Sequence, residues 1–173
     1  QFAGQSLVGK ARAAGALDFD DLLIEAVRLF DEAPDVLARY QARWRYLHVD
    51  EYQDTNRAQY AIVRALSIDH PNLAVTGDPD QSIYGWRGAN LSNILEFEKF
   101  FPDPKIIRLE ENYRSTHAVL HTANSLIVHN RGRREKILRS TRKGGDPVRI
   151  VAMPGDDEEA EFIAEEIMAG KSA

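Results

Sequence analysis

The sequence predicts an α/β fold in which helices cover a parallel sheet. Short apolar runs at 46–49 and 73–75 have the composition of buried strands, and segments with helical spacing of apolar residues separate and follow them. Strands that alternate with helices are typical of a parallel sheet with helices on its faces. Polar and acidic residues follow both runs, at the strand ends where open α/β sheets bind ligands.

The elements of the first half follow from apolar spacing and capping residues. Apolar side chains recur near helical spacing over Leu17–Phe30, and Asp18 can cap that helix. A strand is predicted over Tyr46–Val49 and a helix over roughly Arg57–Ile68, followed by the apolar run "LAVTGD". The next helix is predicted near Leu91–Phe101, because prolines just after it would end it.

The second half continues the alternation of strands and helices. "KIIRLEENYR", residues 105–114, is predicted to be a strand, and "STHAVLHTANSLIVHN", residues 115–130, a capped helix. A last strand is predicted in "PVRIVAMPG", residues 147–155, before an acidic helix that begins with 156–166. We find no internal repeat, so one or two ordinary globular domains are expected.

Composition excludes several classes of protein. With 173 residues and 43% hydrophobic content, the chain can bury a core as one domain or two small ones. No run reaches the roughly 18 apolar residues of a membrane span, and without cysteine there are no disulfides or thiolate metal sites. We therefore expect a cytoplasmic protein without a leader or a membrane partner and, since it begins at Gln1, a piece of a longer chain.

Charge is distributed unevenly along the chain. The formal net charge is −5, but residues 105–143 carry ten Lys and Arg against three acids, or +7, while 156–166 carry seven acids and no base. In the basic run "NRGRREKILRSTRK", residues 130–143, Arg134 or Lys136 could contact phosphates. An exposed turn followed by an amphipathic helix explains the same run.

The stretch "YLHVDEYQDTN", residues 46–56, places acids at the end of a strand. Mg²⁺ prefers hard oxygen ligands and keeps several waters, so Asp50 beside the phosphates of a nucleotide could anchor it. Glu51, one residue later, points elsewhere and could orient or deprotonate an attacking water. A strand followed by a polar turn is the simpler interpretation of this stretch taken alone.

The loop "TGDPDQSIYGWRGAN", residues 76–90, also follows an apolar strand. Tyr84 and Trp86 offer flat faces to unpaired bases, and Arg87 beside them offers a cation to the backbone, as in proteins that hold single strands without reading sequence. A buried aromatic pair is the alternative, but the glycines and polar flanks disfavour a buried strand. Three further residues could reach a phosphate or its attacking water: Asp78, Asp80 and Gln81.

The stretch "LEENYRS", residues 109–115, lies at a junction between a predicted strand and helix. Arg114 could bind phosphate oxygens with two hydrogen bonds and stabilise charge that develops on a γ-phosphate. Tyr113 could stack on a nucleobase. A structural Tyr-Arg pair at an interface is the alternative, and this stretch alone favours it.

Together the three stretches resemble motifs of the superfamily 1A DNA helicases of the UvrD/Rep/PcrA family. "VDEYQDTN" is similar to motif II of the family, "GDPDQSIYGWRGAN" to motif III and "LEENYRS" to motif IV, in the same order and with similar spacing. "LDFDDLL", residues 17–23, is similar to a stretch just upstream of motif II. The resemblance covers nearly the whole chain, and motif III is its most specific part.

The resemblance implies a nucleotide site built from five residues. Asp50 would hold Mg²⁺, Glu51 would activate water, and Gln81 would sense the γ-phosphate. Arg114 would be an arginine finger contributed across the cleft, and Tyr113 would stack on adenine. ATP and Mg²⁺ are thus the implied cofactors.

The same resemblance implies contacts with DNA and a link between two sites. Single-stranded DNA and DNA junctions would be partners, with repair or replication proteins as further ones. The residues implied to contact single-stranded DNA are Tyr84, Trp86 and Arg87. The residues implied to link the nucleotide to that contact are Gln53, Asp54, Asp78 and Asp80.

The implied fold is RecA-like, with the parallel sheet of a P-loop NTPase that is incomplete in this chain. Residues 1–111 would be the C-terminal half of the first lobe (1A) and residues 112–173 the beginning of the second lobe (2A). ATP binding would close the lobes and hydrolysis would release them, so that the protein steps along single-stranded DNA in the 3′ to 5′ direction. The implied function is an ATP-dependent DNA helicase or translocase in DNA repair or replication.

Several features of the family are absent from the sequence. The phosphate-binding loop G-x-x-x-x-G-K-[ST] does not occur: Gly170–Ser172 matches its end, but Glu165 occupies the position of its first glycine. The later helicase motifs and the two inserted subdomains are missing as well. We therefore expect the chain by itself to have negligible ATPase activity.

Two other functions stay open on the sequence. Recombination helicase subunits of the AddA/RecB type are related, but they typically carry lysine and phenylalanine where this sequence has Asp80 and Trp86. A noncatalytic DNA-binding module would use the same aromatic loop without ATP hydrolysis. Hydrolysis by the complete protein separates the motor from the module.

Overall fold

The fold is described from a computed structural model, which describes residues 14–69, 72–130 and 133–170. Lys171 and Ser172, which complete the match to the end of a phosphate-binding loop, lie outside these residues. The helices of the described part are α1 Phe19–Glu32, α2 Pro34–Arg43, α3 Arg57–Ser67, α4 Ser92–Leu95, α5 Phe97–Phe100, α6 His117–Ile127 and α7 Asp156–Gly170. The strands are β1 Leu47–Val49, β2 Leu73–Val75, β3 Glu111–Thr116 and β4 Arg139–Arg142.

The chain divides into two compact units. The first comprises Gln1–Arg108 and His129–Lys136, and the second comprises Leu109–Val128 and Ile137–Ala173. Each unit contains one parallel pair of strands, β1 with β2 in the first and β3 with β4 in the second. The prediction of a mixed α/β fold with parallel strands is therefore confirmed.

Capping residues begin the two longest helices of the first unit. The N–H of Asp21 donates to Asp18 Oδ1 at 2.8 Å, and the N–H of Asp18 donates to Asp21 Oδ2 at 3.3 Å. Asn56 and Gln59 form the same reciprocal pair at the start of α3, with both distances 2.9 Å. The helices predicted from apolar spacing in these two places are confirmed, whereas α2, which begins at Pro34, was not predicted.

The core of the first unit is small and partly aromatic. Tyr52 is fully buried and meets the ring of Phe97 edge-on, with 5.8 Å between the centroids. Phe30 meets Tyr40 in the same way at 6.1 Å. Of the helices in the described part of the chain, none has both the length and the apolar character needed to cross a lipid bilayer.

The helix predicted near Leu91–Phe101 is in fact two short helices, α4 and α5. The break lies at Glu96, with φ −104° and ψ 15°. In a continuous helix the carbonyl of Leu95 would bond the N–H of Lys99, but it accepts from Arg134 Nη2 at 3.0 Å, and Lys99 bonds Glu96 instead. A side chain distant in sequence therefore accompanies the break in the helix.

The strand predicted over 105–114 begins later than predicted. β3 starts at Glu111 because pairing with β4 starts there, where the N–H of Arg139 donates to the carbonyl of Glu110 at 2.8 Å. The apolar residues before it are exposed, with Leu109 at 79%. An apolar run without a partner does not form a strand, because its backbone N–H and C=O groups need hydrogen bonds from a neighbouring strand.

The strand predicted over 147–155 is also wrong. The structure assigns these residues no strand, and Ile150 is 92% exposed. The parallel partner of β3 is instead the polar segment Arg139–Arg142, where an amphipathic helix was one interpretation. Its sequence lacks apolar alternation, so only the pairing with β3 identifies it as a strand.

Candidate functional site

The carboxyl ends of β1 and β2 lie side by side. Val49 pairs with Val75, so the following residues, Asp50 and Thr76, are neighbours. The Thr76 hydroxyl donates to Asp50 Oδ1 at 2.5 Å, and the N–H of Glu51 donates to the same oxygen at 3.0 Å. These hydrogen bonds, that of Thr76 first, lower the pKa of Asp50. Asp50 is therefore an exposed, ionised carboxylate at the sheet edge, and this hard oxygen donor suits Mg²⁺.

Glu51 adopts a left-handed backbone conformation, with φ 48° and ψ 44°. Such a conformation costs about 1 kcal/mol or more in a non-glycine residue, so surrounding contacts must enforce it. The next residue supplies one such contact, because the N–H of Tyr52 donates to the carbonyl of Thr76 at 2.9 Å. The turn that follows, Tyr52–Asp54, lets the Glu51 carboxylate accept a hydrogen bond from Gln53.

Gln53 joins the residues after β1 to the loop after β2. Its side chain is buried, at 1% exposure. Gln53 Nε2 donates to Glu51 Oε2 at 2.8 Å and to Asp54 Oδ2 at 3.1 Å, while Gln53 Oε1 accepts from the N–H of Asp78 at 3.0 Å. One amide group thus connects the Asp78 backbone to the Glu51 carboxylate.

Gly77 makes this close approach possible. A Cβ atom at Gly77 would lie 2.5 Å from Gln53 Oε1, 2.9 Å from Ile94 Cδ1 and 3.1 Å from the backbone nitrogen of Tyr52. The first two distances are shorter than any normal contact, so a side chain here would displace the Gln53 amide. The glycine in "TGD" is therefore a packing requirement of the site.

Asp78 organises the loop after β2. Its Oδ1 accepts from the N–H of Asp80 at 3.0 Å and from Lys136 Nζ, and its Oδ2 accepts from Gln81 Nε2 at 2.7 Å. Burial raises the pKa of Asp78, but the hydrogen bonds from Lys136, Gln81 and the Asp80 N–H together outweigh it and leave the pKa below its ordinary value. The carboxylate is therefore ionised and only accepts hydrogen bonds.

Asp80 is paired with the basic segment. Its side chain is 6% exposed, and Asp80 Oδ2 lies 3.4 Å from Arg133 Nη2 and 3.7 Å from Lys136 Nζ. A carboxylate this buried needs a cation nearby, because desolvation of an unpaired charge is costly. Arg134 in the same segment pairs with Glu98 at 3.0 Å. The cations expected to contact phosphates are thus engaged with acids of the first unit.

The aromatic residues of the loop are exposed on a turn, Gly85–Arg87. The centroids of Tyr84 and Trp86 are 6.4 Å apart, and the guanidinium carbon of Arg87 lies 4.7 Å from the Trp86 centroid and 5.4 Å from that of Tyr84. Trp86 is 76% exposed. The alternative of a buried aromatic pair is therefore wrong, and the surface offers both a flat ring and a cation.

A second set of hydrogen bonds ties the two loops together. The Thr55 hydroxyl donates to the carbonyl of Tyr52 at 2.7 Å. Asn93 Nδ2 donates to the Thr55 carbonyl at 3.1 Å and to its Oγ1 at 3.0 Å, and the N–H of Asn90 donates to the same carbonyl at 3.0 Å. Because Thr55 and Asn93 are buried, these bonds are shielded from water.

Tyr113 and Arg114 lie on β3, in the second unit. The Tyr113 hydroxyl donates to Glu111 Oε2 at 2.7 Å, and this hydrogen bond raises the pKa of Tyr113. The backbone N–H of Arg114 donates to Asn112 Oδ1 at 3.0 Å. Both side chains are exposed, which leaves their ring and guanidinium accessible to a ligand.

The Gln53 side chain thus contacts three candidate residues of the first unit, Glu51, Asp54 and Asp78. Sequence reasoning did not predict the structural roles of Thr55, Thr76 and Asn93. It also did not predict that Lys136 pairs with Asp78. Thr76 had a usable signal, because it follows β2 directly as Asp50 follows β1. The candidate residues that lie in the first unit are Asp50, Glu51, Gln53, Asp54, Asp78, Asp80, Gln81, Tyr84, Trp86 and Arg87.

Comparison with known proteins places the same stretches in described families. Residues 3–102 match the UvrD/REP helicase N-terminal domain, and residues 107–172 match the UvrD-like helicase C-terminal domain. The first match contains the loops after β1 and β2, and the second contains Tyr113 and Arg114.

Curated relatives agree with these matches. The ATP-dependent DNA helicase PcrA of Staphylococcus epidermidis is 50% identical over 153 residues, which are 88% of this chain and 21% of that protein. PcrA of Staphylococcus aureus is 49% identical over 153 residues, with the same shares. The chain therefore spans about a fifth of the length of the curated relatives it matches. The UvrD/REP helicase N-terminal domain matches more than half of the residues of this chain, so the chain belongs to the UvrD/REP helicase family.

Proposed function

We propose that this chain is part of an ATP-dependent DNA helicase or translocase that couples ATP hydrolysis to 3′ to 5′ movement on single-stranded DNA. The observation that carries the proposal is the Gln53 amide. It bonds Glu51 on one side and the backbone of Asp78 on the other, so it connects a candidate catalytic carboxylate to the loop that bears the exposed aromatics. DNA repair or replication is the setting that suits this activity, and DNA junctions and repair or replication proteins are the expected partners.

The residues after β1 and β2 suit a nucleotide with Mg²⁺. Asp50 would hold Mg²⁺, which would supply positive charge for phosphoryl transfer. Glu51 would accept a proton from the attacking water, and Gln81 would orient that water against the γ-phosphate. Arg114 would stabilise the transferring group and Tyr113 would stack on the adenine.

The aromatic turn suits an unpaired strand. Trp86 and Tyr84 present ring faces on which bases stack whatever their identity, and Arg87 supplies positive charge beside them. Asp54, Asp78 and Asp80 would link this contact to the nucleotide. Nucleotide-dependent movement of the loop would therefore shift a stacked base relative to the protein.

We further propose that the chain contains parts of two RecA-like lobes, each incomplete. Residues 1–111 would form the C-terminal half of lobe 1A and residues 112–173 the beginning of lobe 2A, in a protein that works in the cytoplasm with its DNA. The parallel pairs β1–β2 and β3–β4 support this reading, as does the position of the family matches. A complete motor also needs the phosphate-binding loop, so the 173-residue chain alone is expected to have negligible ATPase activity.

The test is ATP hydrolysis by the full-length protein with and without a single-stranded oligonucleotide. The wild type should hydrolyse ATP faster with DNA, and Glu51→Gln should lower that rate by about 100-fold or more because the proton acceptor is lost. Glu25→Gln, which alters a partly exposed carboxylate on α1, is the matched control and should retain the rate.

A folded full-length protein that does not hydrolyse ATP would contradict the motor and leave the noncatalytic DNA-binding module. Measurable turnover by the isolated chain that Glu51→Gln abolishes would contradict the expected inactivity of the chain. Among the family branches, Asp80 and Trp86 favour the UvrD-like motor over the recombination subunits of the AddA/RecB type.

A further inference from the structure

The basic segment 133–136 forms a four-charge cluster with the loop after β2. Arg133 and Lys136 carry two positive charges, and Asp78 and Asp80 carry two negative charges. None of the four side chains is more than 22% exposed, so their interaction is only weakly screened by water. The charges balance within the cluster, as burial requires.

Lys136 acts on the side of Asp78 opposite to Gln81. Lys136 Nζ donates to Asp78 Oδ1, and Gln81 Nε2 donates to Asp78 Oδ2 at 2.7 Å. A carboxylate that two donors hold from both oxygens cannot rotate without breaking one bond. Lys136 therefore holds the acceptor on which the Gln81 side chain rests.

The charge of Asp78 also decides which end of the Gln81 amide faces outward. An ionised carboxylate accepts hydrogen bonds and donates none, so Gln81 must turn its NH₂ group toward Asp78. Gln81 Oε1 then points away from the carboxylate and has no hydrogen-bond partner among the described residues. An amide oxygen in this orientation can accept a hydrogen bond from a water molecule and thereby orient it.

We propose that Lys136 is a positioning residue for ATP hydrolysis: it holds the Asp78 carboxylate so that Gln81 presents its amide oxygen to the attacking water. This inference rests on the proposed function and goes beyond it, because it gives the basic segment a part in hydrolysis rather than in DNA binding. Without Lys136, Asp78 can rotate or take up a proton, and the Gln81 amide can then bind in either orientation.

The experiment uses the full-length protein with saturating single-stranded oligonucleotide. Lys136→Met keeps the length of the side chain and removes its charge, and it should lower kcat for ATP about 10-fold or more while KM and the DNA affinity change less than about threefold. Lys136→Arg, which restores the cation, should recover most of kcat. The control is Lys99→Met, which removes an exposed lysine whose ionic partner among the described residues is Glu96 alone and should leave all three quantities unchanged.

A second comparison tests whether Lys136 acts through Gln81. In a Gln81→Ala background, Lys136→Met should lower kcat by less than about twofold more, because residues that act as a unit are not additive. Additive losses would overturn the inference, as would a Lys136→Met protein with the kinetics of Lys99→Met. A general loss of structure would instead lower both the DNA affinity and kcat.

If Lys136→Met does not fold, Lys136→Arg and Lys136→Gln decide the question in the same assay. Similar kcat values for the two folded variants and the wild type would overturn the inference. The failure of the proposed function has a different signature, because the wild type itself would then show no DNA-stimulated hydrolysis. That result would overturn both proposals, whereas an active wild type with an active Lys136→Met overturns only this one.

Discussion

Gln53 and Gly77 depend on each other at the centre of the candidate site. The Gln53 amide bonds groups from both loops, and the missing side chain of Gly77 provides the space in which its Oε1 lies. A polar side chain that is buried and bonded at both ends holds its neighbours in place, because an unmade bond there would be costly.

Replacement of Gly77 tests this arrangement. Gly77→Ala should lower the free energy of unfolding by about 2 kcal/mol, because its Cβ would lie 2.5 Å from Gln53 Oε1. Urea unfolding of the full-length protein measures the change. Gly85→Ala is the control, since a Cβ there would have no atom within 4 Å and should change stability little. Equal stability of the two variants would show that the amide is not held as described.

Tyr52 offers a test that depends on pH. Its hydroxyl is buried and bonded by none of the described residues, and burial raises the pKa of Tyr52 to about 12. The neutral phenol is favoured in the folded state, so this contribution to stability is fully present below the ordinary tyrosine pKa of 10.0 and is lost as the pH rises through about 12.

Tyr52→Phe should therefore keep the contact with Phe97 and remove an unpaired polar group. We expect it to leave the free energy of unfolding at pH 7 unchanged or to raise it by up to about 1 kcal/mol. The advantage of the variant should grow as the pH rises between 10.0 and about 12, as measured by thermal unfolding. A variant that is clearly less stable at pH 7 would show that the hydroxyl has a partner in the full-length protein.

At the scale of elements, caps and long-range contacts determine where helices begin and end. α3 begins where Asn56 caps it, directly after the turn that carries Gln53. The break between α4 and α5 has a different origin, because Arg134 occupies the carbonyl of Leu95. Helix starts thus follow local sequence, whereas this interruption involves a residue far away in the chain.

Removal of the α3 cap should lower the stability of the protein, because α3 begins directly after the turn that carries Gln53. Asn56→Ala should lower the free energy of unfolding by about 1 kcal/mol, because the N–H of Gln59 loses its acceptor. Thermal unfolding measures it, with the exposed neighbour Arg57→Ala as the control. A loss no larger than that of the control would mean that the cap contributes little to stability.

At the scale of the whole molecule, Trp86 and Arg87 are expected to contribute to DNA binding in different ways. Stacking on a ring does not depend on salt, whereas phosphate contacts do, because they release counterions. Trp86 is exposed and Arg87 lies over its ring. The two residues should therefore affect different parts of the binding free energy.

Binding of a single-stranded oligonucleotide by the full-length protein tests this division. Trp86→Ala should weaken binding about 10-fold with little change in the salt slope, whereas Arg87→Gln should reduce the slope by about 1. Fluorescence anisotropy at several salt concentrations measures both quantities. Ile83→Ala, at an exposed aliphatic neighbour, is the control and should bind as the wild type does. Unchanged binding by Trp86→Ala would remove the turn from the DNA contact.

The sequence by itself determined the parts of this protein that depend on neighbouring residues. Asp18 predicted one helix start, the helix over roughly Arg57–Ile68 was predicted near its observed bounds, and apolar runs predicted the parallel pair that places Asp50 beside the loop after β2. The motifs were sufficient to predict the family, and the family matches confirm it. These features are local in sequence, so composition and spacing carry them.

The tertiary structure decided what depends on residues far apart in the chain. The strand at Arg139–Arg142 exists because β3 lies beside it. The more apolar segment 147–155 has no partner strand among the described residues and does not form a strand. Lys136 binds Asp78 across 58 positions of sequence, and no pattern near either residue indicates it. Such contacts depend on which backbones meet in space, because a strand needs a partner and a buried carboxylate needs a cation.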